Sequence, residues 1–169
     1  MRGEQAVSES PQRYSARPFP PYRYIPGKSP HPVRDAGGHS RDRAPETLDR
    51  FDAESWRECD LYLYGIDLFN HGFWWEAHEA LETCWHAAGR NTPTGLFVQG
   101  LIQVAAACLK RHQGFHDAAG RLAREGLEKI PRDRTCCLGI HLEQFRRAVL
   151  DALVDPSRTL RIHLEFDDA

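Results

Sequence analysis

Residues 73–85 crowd Glu76, His78, Glu79 and Glu82 among three tryptophans, Trp74, Trp75 and Trp85. His78 and Glu82 stand four residues apart, so on a helix they lie one turn above each other and can reach one point, as two metal ligands do. The string His-Glu-x-x-Glu is the zinc-protease pattern His-Glu-x-x-His with its last ligand exchanged. In that reading a divalent metal ion is held by His78 and Glu82, and Glu79 is the general base on a water whose acidity the ion raises. The bland reading is equally open: His78 and Glu82 form an ion pair, or one of them bonds a tryptophan indole. Two ligands are too few for tight zinc. His31, in Pro-His-Pro, and His39, in Gly-Gly-His, are loop histidines that could complete the set if the chain before the helices folds back. Arg34 and Gln103 would then orient a substrate.

A helical wheel gathers Trp74, Ala77, Leu81, Cys84 and Trp85 on a core face, with His78 at its edge and Glu79 pointing away. Glu76 reads as part of a solvated face. Trp75 falls on the outward side between carboxylates, and a large apolar side chain there marks a contact surface. The arm, a second copy of the chain or a ligand must cover it. One helix further on, Gln99, Gln103 and Lys110 share a side with Ala106 and Ala107. That line is either a solvated face or a shallow pocket whose amides aim at a ligand or at Glu82.

The elements that position these residues are helices. Asp52 is a good N-cap, with Phe51 and Trp56 placed as a hydrophobic staple, so a first helix is predicted over 51–70 with Gly72 as its stop. A second runs over 73–88 and ends at Gly89. Thr92-Pro93 opens a third that lasts to His112. A fourth covers 116–129, before Pro131, and a fifth 141–154, before Pro156. Five helices on short links make an all-α, antiparallel bundle over 45–155. Eight of the eleven prolines fall in 1–45, which excludes a helix there. Within that stretch 1–17 reads as disordered. Residues 18–44, rich in aromatic residues, read as an extended arm packing on the bundle. The tail, 156–169, is extended: Leu160, Ile162, Leu164 and Phe166 alternate with polar residues at strand spacing, and 22–25 is a candidate partner.

Residues 1–44 carry eight Lys/Arg against four Asp/Glu, whereas the rest carries 14 against 20. Arm and body should therefore attract, and the acidic body disfavours nucleic acid as a partner. The longest apolar stretch, 95–109, is too short and too interrupted to span a bilayer, and the first thirteen residues have no secretory h-region. The five cysteines make no C-x-x-C pair, which suits reduced thiols in a cytoplasm.

Phe69-Asn70-x-Gly72, Glu76-Ala77-His78-Glu79-x-Leu81-Glu82-x-x-Trp85 and Gln99-Gly100-Leu101-Ile102-Gln103-x-Ala105-Ala106 resemble the hallmark strings of the family catalogued as domain of unknown function number 309. The strings Pro21-Tyr22-Arg23-Tyr24-x-Pro26-Gly27 and Pro30-His31-Pro32-x-Arg34-Asp35 are similar to an arm found in some members, with Ala36 where proline is expected. The resemblance runs over about 18–153. It implies a compact helical bundle, and a metal-dependent hydrolase as the label sometimes attached to the family. The matching positions are Glu76, His78, Glu79, Glu82, Gln99 and Gln103. Two functions therefore stand side by side. One is a metal-dependent hydrolase acting on an unspecified small molecule. The other is a non-enzymatic bundle that binds a partner or its own copy through a structural polar network.

Overall fold

Glycine and proline punctuation sets the helix ends. The computed structural model describes residues 10–155 and 157–166. Its elements are a short 3-10 turn, Trp56–Glu58, then α1 (Asp60–Asn70), α2 (Trp74–Ala88), α3 (Pro93–His112), α4 (His116–Glu128), a hairpin of β1 (Cys136–Cys137) with β2 (Ile140–His141), and α5 (Leu142–Val154). Gly72, Gly89 and Gly114 close α1, α2 and α3 at φ between 80° and 85°, a conformation that costs glycine nothing. The Thr92 hydroxyl accepts from Gly95 N at 3.0 Å, capping α3 ahead of Pro93. The fold is the predicted all-α bundle.

Helix α2 packs on α1 and α3, and α3 packs on α4. The centre is Tyr62, Ile66, Leu81, Phe97 and Leu101, all fully buried. A Cβ built on Gly100 would lie 2.8 Å from Gly126 O, and one built on Gly126 would lie 2.8 Å from Gly100 O. The α3–α4 crossing is close because neither residue has a side chain.

The first helix is shorter than the predicted 51–70. Asp52 caps a turn, accepting from Glu54 N and Ser55 N, and Cys59 is extended at φ −80°, ψ 91°, so the helix restarts at Asp60. The hairpin was not anticipated. Its two-residue loop holds Leu138 at φ 47° and Gly139 at φ 77°, the primed-turn geometry that suits hairpin twist. Tyr62 donates its hydroxyl hydrogen to Leu138 O at 2.9 Å and ties the hairpin to α1.

The tail keeps its predicted period, with Leu160, Ile162 and Leu164 buried, but its partner is not 22–25. Asn70 acts as a strand-like partner through its amide: Ile162 N donates to Oδ1 and Nδ2 donates to Ile162 O, both at 2.7 Å. Glu165 N then donates to Gly139 O.

Residues 10–17 also depart from the expectation of a disordered 1–17. Tyr14 N and Ser15 N both donate to the fully buried Asp67, and Arg13 Nε pairs with it at 2.9 Å. Arg17 pairs with Asp60 and Glu46. The charge asymmetry is the physical reason: a basic segment lies on an acidic helix. Residues 1–9 lie outside the described residues.

Candidate functional site

Helix α2 divides its polar residues between two faces. Ala77, Leu81 and Cys84 turn fully inward. Glu76 flanks that stripe on one side and His78 on the other, with Trp75, Glu79 and Glu82 on the outward side between them.

The first face is covered by the arm. Glu76 is buried, its side chain only 5% exposed, and Oε1 accepts Tyr24 N at 2.8 Å and contacts His39 Nε2 at 3.0 Å. The His39 side chain is 3% exposed, and its Nδ1 lies 2.8 Å from the Ser40 hydroxyl. Trp75 receives the rings of Tyr24 and His31 edge-on, at 5.3 and 5.5 Å between centroids. The outward tryptophan is thus covered by residues of the same chain. Glu76 corrects the expectation of a solvated face: the wheel directs it away from the core, but a second layer lies there.

His31 belongs to this layer as well. Its Nδ1 accepts from Val33 N and Arg34 N, both at 3.2 Å, which folds the Pro-His-Pro turn. Arg34 is exposed. Neither His31 nor His39 is brought to His78.

The second face holds a donor group. One ligand atom each from His78, Glu79 and Glu82 lie within 4.8 Å of one another. This is the one such group of three among the described residues. Glu79 joins it although its Cα points elsewhere, because the carboxylate folds back until Oε1 is 3.4 Å from His78 Nδ1. That is ion-pair distance without hydrogen-bond alignment, so Nδ1 is buried and lacks a hydrogen-bond partner among the described residues. Among the described residues His78 pairs with Glu79, and not with Glu82 or a tryptophan indole. Glu82 lies nearer His86, at 3.9 Å, and Trp85 Nε1 has no partner among the described residues.

The Glu79 carboxylate, with Glu82 behind it, raises the His78 pKa above 6.5 against the effect of burial. In metal-free protein a raised histidine contributes stability that is full below pH 6.5 and fades as pH rises through the higher folded value. His78→Ala should therefore flatten the dependence of the urea midpoint on pH just above 6.5. An unaltered slope would show that the carboxylates do not act on this imidazole.

The glutamines of α3 do not reach Glu82. Gln103 Nε2 donates to Glu125 on α4 at 3.3 Å, while its Oε1 is buried without a partner among the described residues. Gln99 is half-buried on the same helix. The alanine-floored line is thus partly covered by α4. Sequence reasoning also missed Asp67, whose partners are backbone groups more than fifty residues away. It missed Cys59 too, whose thiol is pulled down to about 6 by its hydrogen bond with Cys84, while the Cys84 thiol is pushed up.

Residues 62–122 match the family model described as Domain of unknown function (DUF309). The match starts inside α1 and ends inside α4, so it contains α2, the donor group and both glutamines, and it is narrower than the 18–153 of the sequence resemblance. No curated protein matches the chain. No described helix is long and apolar enough to cross a membrane.

Proposed function

We propose a metal-dependent hydrolase in which α2, inside the segment that matches the family model, holds a divalent ion through His78, Glu79 and Glu82. One observation supports it above the others: three donor atoms within 4.8 Å, one of them a buried imidazole nitrogen that stands 3.4 Å from Glu79 Oε1 and makes no aligned hydrogen bond among the described residues. A buried polar atom without a partner is costly, and a cation between His78 and the two carboxylates would relieve that cost. Imidazole with two carboxylates suits zinc or manganese. Three protein ligands are also the number that leaves positions open for water and substrate. When bound, the ion would acidify water and polarise a substrate oxygen.

The residues of the chain divide the remaining work. Glu82 and His78 are one turn apart on a rigid helix, which fixes their separation. Glu79 is the outer and more exposed ligand. It cannot be ligand and general base at once, and its position beside Nδ1 favours ligand. A proton acceptor would then come from the substrate or from solvent.

A second reading fits other residues. Glu76 Oε1, the Trp75 ring and His39 are engaged by arm contacts, as in a non-enzymatic bundle. The two readings therefore rest on different side chains of α2, Glu76 on one flank and His78 on the other.

Elemental mass spectrometry on tag-free protein purified without nickel tests the metal site. Near-stoichiometric zinc, manganese or iron is expected, and its loss from a His78→Ala, Glu82→Ala double variant. Both side chains are partly exposed, so the variant should fold. No metal in the wild type after incubation with added ions would overturn the proposal. Metal retained by the double variant would overturn the assignment to these residues.

A further inference from the structure

A cavity of about 350 Å3 lies under the arm, between it and α1 and α2. It is separate in character from the donor group, although Glu79 lines its rim. Leu61, Leu68 and Ala80 give it an apolar floor, and Trp75 and Tyr64 are aromatic walls. Its volume is that of a small-molecule site.

The polar group in its lining that lacks a partner is a carboxylate oxygen. Glu76 lines the cavity, and its Oε1 takes both donors available, Tyr24 N and His39 Nε2. Oε2 is buried and has no partner among the described residues. His39 cannot supply one, because its other nitrogen faces Ser40. Glu46, also in the lining, is already paired with Arg17 at 2.6 Å. The one cationic side chain in the lining, Arg43, is exposed. A buried carboxylate left half-satisfied calls for a donor, and a charged donor most of all. An aromatic wall beside it favours the same kind of group.

We propose that this cavity binds a small organic cation, a primary amine or guanidinium with a short hydrocarbon body, whose head bonds Glu76 Oε2 and whose body packs on Trp75 and the floor. This goes beyond the metal reading and does not depend on it.

Calorimetry on the full chain with a chelator present tests it, using benzylamine and agmatine as probes and benzyl alcohol as the uncharged match. At least one amine should bind, with the alcohol about tenfold weaker or worse, as expected when a charge-assisted bond is lost. Glu76→Gln keeps an acceptor for Tyr24 and His39 but turns the second oxygen into a donor, and should weaken amine binding by about tenfold or more. Should that variant lose its arm, wild-type NMR decides: nuclear Overhauser contacts are expected from the amine methylenes to the Trp75 indole. No amine bound at millimolar concentration, equal binding of the alcohol, unweakened binding by a folded Glu76→Gln, or contacts that avoid Trp75 would each overturn the proposal. Because the chelator removes metal, failure here leaves the His78 site standing, and failure of the metal experiment leaves this site standing.

Discussion

Asp67→Ala is expected to destabilise the protein by about 3 kcal/mol and to free residues 10–17 from α1. Asp67 is fully buried and accepts three donors: Tyr14 N at 2.8 Å, and Ser15 N and Arg13 Nε at 2.9 Å. The Arg13 side chain is about a third exposed, so solvent screens that pair and most of the effect comes from the two backbone donors. Alanine would leave them without an acceptor, and Ser15 is itself buried. The loss should spread, because the Arg13 guanidinium sits 4.0 Å over the Phe19 ring and Phe19 stacks on Phe73 at the start of α2. The urea midpoint should fall, and trypsin should cut after Arg13 in the variant long before it cuts the wild type. Asp67→Asn retains one acceptor oxygen and should lose about half as much. Equal midpoints and equal cleavage for wild type and Asp67→Ala would show that this contact holds nothing down.

The contrast between Asp67 and the helix ends shows what the sequence could reveal. Caps and stops are local: Thr92-Pro93, Gly72, Gly89 and Gly114 act within a few residues, and α2 to α5 begin and end within a residue or two of their predicted limits. Amphipathic period is local too, and it exposed the need to cover Trp75. The identity of a cover is not local. Asp67 sits in an apolar run with no ionic partner on its own helix, because its partners come from chain that precedes it by over fifty residues. Glu76 looks outward on a wheel that knows only one core, and the arm adds a second. Glu79 shows the other limit. A wheel gives the direction of Cα, whereas three rotatable bonds bring its carboxylate back to His78. The donor group was legible in composition and spacing for His78 and Glu82, but its third member was placed on the wrong side. The hairpin was invisible because Leu138, a residue that rarely takes positive φ, occupies half of its turn.

Glu76→Ala should detach the arm without unfolding the bundle. Glu76 is the point where two distant parts of the arm meet α2: Tyr24 through its backbone nitrogen and His39 through its ring. Both bonds end on one oxygen, so a single truncation removes both. His39 would be left buried without its partner, at a cost of about 2–3 kcal/mol to the docked state. That is on the order of 30- to 150-fold in the ratio of docked to open arm. What remains includes the ring packing of Tyr24 and His31 on Trp75, the stacking of Phe19 on Phe73 and the hydrogen bond from the Tyr64 hydroxyl to Pro18 O. The bundle core, centred on Tyr62, Leu81 and Phe97, lies on the other side of α2 and keeps its packing. Hydrogen exchange should therefore quicken at the Tyr24 amide while α3 and α4 stay protected. The emission of Trp75, followed in a variant lacking the other tryptophans, should shift toward that of a solvated indole. Protection of Tyr24 as strong as in the wild type would mean that aromatic packing, and not the carboxylate, holds the arm. Loss of protection throughout α3 would mean instead that arm and bundle fold as one unit. In the expected case the cavity opens with the arm, so amine binding should disappear while the donor group at His78, which no arm residue completes, still takes its metal.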